Sequence, residues 1–367
     1  MDTGYQKNKA NIITGVMDAV SIMESVPQAT IRSVLSRIGY QHSEYMTREQ
    51  TADRLYHMIC SDKERILAMM PEYMIDLLFE MWEKDSISMD EARWNLSEYL
   101  KLLGFALIKK GSRKKDRPNE IYIAQDMKDE FYFILKGRKS RKEMAFYLRW
   151  EKIVTGMMYY YGIIETGDLY RQFQKSASER VDYETFLFFL KCRMSFWAFG
   201  EFYTDNRNRS EYFSLVDIER PVSMLLFIRE HPDIPYRKVS EEDLIYICES
   251  GGLDNRWEGV SVISTWCVET RKMDYYRTAE ILQELIRMVR NGSGSKEVKD
   301  HFIRRMPEDM QIPDSLLDAI GDLCRDVPLF EYKGYSRKQY VKKFQERELK
   351  REGRSFRIIE GGKPDQA

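Results

Sequence analysis

The chain has 367 residues and a mass of 43.8 kDa, room for two or more domains of ordinary size. Its 58 Lys and Arg nearly balance 59 Asp and Glu, so any nucleic-acid-binding face must be a local patch. An apolar share of 43% against 32% charged excludes a disordered chain, and no run approaches the ~20 apolar residues that a membrane helix needs.

Tyr (23), Phe (18) and Met (20) outweigh what Gly and Pro supply for turns, which favours helices and aromatic cores over a β-sandwich. The five cysteines, Cys60, Cys192, Cys248, Cys267 and Cys324, form no C-x-x-C pair and are odd in number. They read as reduced, mostly buried thiols of a cytoplasmic protein. The opening MDTGYQKNKANIITG lacks the apolar core of a signal peptide.

Ile12, Val16, Ala19, Val20 and Met23 recur at helical spacing. Pro27 opens a second helix that Gly39 ends, and Thr47 to Gln50 is a capping box for a third. Helix, extended linker, helix over 1–60 resembles the helix-extension-helix modules of the SAP and Rho-N-terminal kind, some of which bind nucleic acid. Arg48 and Arg54 suit that role, Glu49 and Asp53 oppose it, and a packing hairpin explains the same residues.

Ser61 to Glu64 has the spacing of another capping box, and Pro71 suits a helix first turn. Met74, Ile75, Leu77, Leu78, Met81 and Trp82 then form a broad face to bury. Ser88 to Glu91 reads as the cap of a helix striped by Leu96, Tyr99, Leu100 and Leu103 and stopped by Gly104. FALI and IYIA are β-prone runs around a polar loop, and Asp126 is expected to cap the helix that follows. Helices followed by a hairpin in this order, over 61–137, resemble the winged-helix fold.

LKGRKSRKEM reads as a charged linker. A second unit over 144–220 follows, with Ile153, Val154, Met157, Met158 and Tyr161 on one face and Gly162 as the stop. YYYGIIETGDLYRQF, then a helix capped by Asp182, then a hairpin around NRNR resemble a second winged-helix unit in order and punctuation. From 221 to 330 only helices are expected, including one capped by Ser240, with NGSGS as a helix–helix turn. The remainder, 331–367, reads as a charged tail. PLFEYKGYSRKQ resembles a segment of uncharacterised bacterial proteins, some of which end in a cysteine-rich metal-binding knuckle; this chain has no cysteine after Cys324, so that metal site does not carry over. The expected fold is therefore mainly α with small β-hairpins, two winged-helix-like units lying between helical N- and C-terminal regions.

No phosphate-binding glycine loop, dinucleotide fingerprint, H-E-x-x-H or G-x-S-x-G is present, and the four histidines, His42, His57, His231 and His301, are far apart. No catalytic residue, cofactor or metal is expected. Glu165 and Asp168 lie near a helix start, where the dipole favours carboxylates without any chemistry.

The first hairpin tip is different. Lys109, Lys110, Arg113, Lys114, Lys115 and Arg117 stand together with only Asp116 opposing. A β-ribbon would present them to phosphates, while Arg93, Asn95, Ser97 and Lys101 of the preceding helix face a major groove. A loop kept in solution by its charge would look the same. Arg207 and Arg209 in the second hairpin are further phosphate candidates, although Phe186 to Leu190 of the neighbouring helix should be buried. The tail adds Arg337, Lys338, Lys342, Lys343, Arg347, Lys350, Arg351 and Arg354, with Tyr335 and Phe356 able to stack on bases and with Tyr340, Val341 and Phe344 as an apolar face; Glu346, Glu348 and Glu352 dilute that charge, as in an ordinary solvated helix. Two functions fit: a non-enzymatic DNA-binding regulator or mobile-element accessory factor, or a scaffold that uses the same units and aromatic helices to hold a protein partner.

Overall fold

The structure, a computed structural model, describes residues 18–24, 26–37, 45–70, 72–84, 87–89, 106–109, 119–136, 138–195, 199–205, 210–307 and 310–345. It is mainly helical, with small antiparallel sheets. The described residues of Met1–Glu151 and Glu179–Phe202 gather into one compact unit, and those of Lys152–Ser178 and Tyr203–Ala367 into another.

In the first unit the apolar spacing folds into helices Ala19–Glu24, Gln28–Arg37, Arg48–Ser61, Lys63–Met69 and Glu72–Glu83. Thr47 caps the third of these through Gln50, as its capping box predicts. All six apolar residues of the 74–82 stripe are buried. Strands β1 (Ile87–Met89), β2 (Ala106–Lys109) and β3 (Asn119–Ile123) form a sheet in the order β1-β3-β2, both outer strands antiparallel to β3. The hairpin expected from FALI and IYIA is therefore present, with Ala106 opposite Ile123 and Lys109 opposite Glu120.

Three expected caps fall elsewhere. Ser61 is the last residue of its helix and its hydroxyl donates to the His57 carbonyl at 2.7 Å, the back-bonding a helical serine makes. Ser88 lies in β1 opposite Glu120, because this short run pairs with the open edge of β3. Asp126 is inside helix Gln125–Lys136 rather than before it. The expected linker LKGRKSRKEM is in part the start of helix Arg138–Tyr161; its Lys, Arg, Glu and Met are good helix formers.

The first unit also holds an aromatic cluster. Tyr147 stacks on Phe189 at 6.0 Å, and Trp150 meets the same ring edge-on at 5.5 Å. Asp182 caps helix Tyr183–Phe189 by accepting from Thr185, and a π-turn, Leu190–Ser195, follows. Phe186, Phe189 and Leu190 are buried as their all-apolar helix predicts, whereas Phe188 is only half-buried and carries the Arg65 guanidinium 3.6 Å above its ring.

In the second unit Ile153, Val154, Met157, Met158 and Tyr161 are buried, and Gly162 ends their helix at φ 67. A Cβ there would lie 2.4 Å from the Phe330 ring, so glycine is needed for both the turn and the contact. Strand β4 (Ile163–Glu165) and helix Thr166–Ser176 follow. With β5 (Gly200–Asp205) and β6 (Ser210–Leu215) the strand order is β4-β6-β5, and Ile164 sits opposite Phe213. Helices Glu258–Thr265, Tyr275–Arg290, Ser295–Arg305 and Asp314–Asp326 close on a core that includes Val260, Leu285, Phe302, Ile320 and Leu323. NGSGS is the turn between two of them, as expected.

Candidate nucleic-acid interface

Lys109 ends β2, and that is all the structure describes of the first hairpin's basic tip. Lys110, Arg113, Lys114, Lys115 and Arg117 lie outside the described residues, as do Arg93, Asn95, Ser97 and Lys101. Arg207 and Arg209 lie outside them too.

A different basic surface is described in full, and it uses part of the expected tail. Residues 328–336 are packed into the second unit: Leu329, Phe330, Lys333, Tyr335 and Ser336 are buried. Pro328 bridges Ser336, and the Leu329 N–H donates to the Tyr335 carbonyl at 3.1 Å. The turn needs positive φ at Lys333 (50°) and Gly334 (90°). The glycine also lets the Tyr161 ring approach, 3.1 Å from where a Cβ would stand.

This turn holds a second segment. The Arg237 N–H donates to the Lys333 carbonyl at 3.0 Å, and the Tyr161 hydroxyl donates to the Arg237 carbonyl at 2.6 Å. Lys333 donates its ammonium to the His231 carbonyl at 2.8 Å, and burial pulls its pKa down. Between the two segments runs a groove of about 710 Å³ lined by Pro235, Tyr236, Arg237, Lys238, Tyr335, Gln339, Lys342 and Lys343. Four of these residues are cationic and none carries a carboxylate. Such a lining favours an anion.

Local chemistry sets each side chain. Ser336 caps helix Arg337–Tyr340 in a capping box with Gln339, and a π-turn, Val341–Gln345, carries Lys342 and Lys343. Lys343 donates to the Tyr335 hydroxyl at 2.7 Å and lies 4.5 Å from the centre of that ring. Arg237 lies 5.2 Å from the Tyr160 ring and reaches the Gly334 carbonyl at 3.4 Å. Arg337 and Lys338 are used elsewhere: Arg337 donates to the Gly292 and Ser293 carbonyls, and Lys338 pairs with Asp326 at 3.6 Å.

Tyr335, Lys342 and Lys343 were therefore legible as one cluster. Tyr236, Arg237 and Lys238 were not, because they are remote in sequence; their only signal is the short aromatic-basic run PYRK ahead of Ser240. The apolar face expected of Tyr340, Val341 and Phe344 forms in part. Tyr340 stacks on Tyr332 at 4.2 Å and Phe344 meets Tyr335 at 5.3 Å, but Val341 is 42% exposed. The π-turn begins at Val341 and shifts it off that face.

Among the described residues no group of three or more His, Cys, Asp or Glu is placed to hold a metal. His57 faces Asp53, and His301 pairs with Glu284, which Arg305 also holds. No helix of the described residues is long and apolar enough to cross a membrane. All five cysteines are free thiols, and Cys192, Cys267 and Cys324 are buried; burial pushes Cys267 up to about 11. Comparison with protein-family models, curated proteins and solved structures gave no match.

Proposed function

We propose that this chain is a non-enzymatic nucleic-acid-binding protein of the cytoplasm that holds backbone phosphates on two basic surfaces. The observation that carries this reading is the 235–238/335–343 groove, with four cations and no carboxylate in its lining. Released counterions would supply much of the affinity. The hairpin tip from Lys109 to Arg117 is the second surface.

The element order supports winged-helix units as the frame. Helix 138–161, β4, helix 166–176, helix 183–189 and then β5 and β6 follow that fold's sequence of elements. The strand orders β4-β6-β5 and β1-β3-β2 place the last strand between the other two, as a winged helix does. In this reading the first unit meets duplex DNA through its tip and through Arg93, Asn95 and Lys101. The chain then acts as a regulator or as an accessory factor of a mobile element.

The test is fluorescence anisotropy with short duplex and single-stranded oligonucleotides across a salt series. Affinity should fall steeply with salt. The triple variant K238Q/K342Q/K343Q should lower the slope of log K against log salt by about 2 to 3 for duplex, at about 0.9 per phosphate contact. Absence of binding at low salt, or a slope unchanged for both duplex and single strand, overturns the assignment of the groove.

A further inference from the structure

The second unit contains another cavity, of about 450 Å³, and its chemistry differs from that of the groove. Its wall includes Tyr159, Asp217, Gly252, Glu280, Arg287 and Arg290. Arg290 is only 6% exposed. One of its Nη atoms donates to the Gly252 carbonyl at 3.0 Å, and the guanidinium lies 5.0 Å from the centre of the Tyr159 ring. Its Nε is buried without any partner.

No carboxylate among the described residues forms an ion pair with Arg290. Burial draws its pKa down to about 10, against the opposing influence of Tyr159, Tyr160 and Asp217. A buried cation without a counter-charge is unfavourable unless something supplies the charge. The open space beside it is of the size that small-molecule sites take.

The rest of the lining limits what can enter. Glu284 is held by His301 at 3.0 Å and by Arg305 at 3.0 Å, and Arg305 also reaches Glu280 at 3.4 Å. Among the described residues, neither the Asp217 carboxylate nor the Arg287 guanidinium is in an ion pair. A phosphate or other polyanion would meet these carboxylates. A ligand with one negative and one positive end would satisfy both signs.

We propose that this cavity binds a small zwitterion of the free amino-acid class, its carboxylate on Arg290 and Arg287 and its ammonium towards Asp217. The site is independent of nucleic-acid binding, since none of its lining residues belongs to the groove.

The test is isothermal titration calorimetry on the full chain, with free amino acids, their N-acetyl derivatives, simple amines and inorganic phosphate as probes. At least one amino acid should bind, and N-acetylation should abolish binding. R287Q and D217N change exposed side chains and should leave the fold intact, with each weakening binding by roughly tenfold as a charge-assisted hydrogen bond is lost. R290K, should it fold, should weaken it further. Failure of every amino acid overturns the proposal. So does equal binding of the N-acetyl derivatives, which would mark a plain carboxylate site, and so does preference for phosphate.

Discussion

Both carboxylate oxygens of Asp126 lie within hydrogen-bond distance of the Ala19 backbone N–H, at 3.1 and 3.0 Å. Ala19 opens helix Ala19–Glu24, and the Ser21 N–H of the same first turn donates to the Asp18 carboxylate at 2.8 Å. A helix of six residues cannot hold itself together in water, so its first turn is fastened from within and from a residue 107 positions away. D126A should cost about 1 to 2 kcal/mol, the loss typical of a helix cap. D126N keeps an acceptor oxygen and should cost less.

Burial holds the Asp126 carboxyl above the ordinary aspartate value of 3.8. The folded chain therefore binds the proton more tightly than the unfolded chain does. Stability from this group is greatest in acid and falls as pH rises through the window above 3.8. D126N should remove that fall. Urea denaturation from the ordinary aspartate range to neutrality checks it: parallel pH profiles for the two proteins would refute the assignment.

Arg256 ties together two carboxylates, reaching Asp243 at 2.6 Å and Asp254 at 2.7 Å. Asp254 is 3% exposed, so removing the guanidinium leaves a buried charge that keeps the residue-256 backbone N–H at 2.9 Å but loses its ion pair. R256A should cost about 1 to 3 kcal/mol, below the loss for a fully buried pair because Arg256 itself is half-exposed. The hydrogen bond from Arg256 holds Asp243 below 3.8. Its contribution is thus present above the unfolded value and lost as pH falls through the folded one. R256Q should flatten this part of the acid limb in equilibrium unfolding.

Gly162 and Phe330 should be coupled. G162A forces a left-handed backbone on alanine, about 1 kcal/mol, and places a methyl against the Phe330 ring, about 1 to 3 kcal/mol more. F330A opens the space but not the backbone. A double-mutant cycle by urea denaturation should therefore be sub-additive, with the backbone cost remaining in the double variant. Strict additivity would mean that the ring moves aside freely.

Much of this was readable from the residues, for physical reasons that also mark where reading stops. Helical periodicity located the stripes at 74–82 and 153–161 because burial imposes the spacing. Thr47, Asp182 and Ser240 were legible as caps because their partners lie three residues on. Ser61, Ser88 and Asp126 carry the same local signal, yet Ser61 bonds backwards, Ser88 pairs in a sheet and Asp126 serves a distant helix. Local chemistry does not reveal a remote partner. The groove shows the same divide: Lys342 and Lys343 cluster in sequence, whereas Arg237 joins them through remote partners, the Lys333 and Gly334 carbonyls and the Tyr161 hydroxyl.

The two basic surfaces make separable predictions. Neutralising Arg113, Lys114, Lys115 and Arg117 to Gln should reduce the duplex salt slope by about 3 to 4 if each holds one phosphate. The groove variant removes three other cations. If both surfaces touch one oligonucleotide, the combined variant should show the sum of the two reductions, since distinct phosphates release distinct counterions. If only the tip holds duplex, the groove variant should change single-strand binding alone, at about 0.7 per contact. Anisotropy titrations of the four proteins at matched salt distinguish these outcomes. An unchanged slope in the tip variant would remove the hairpin from the interface and leave the groove as its whole extent.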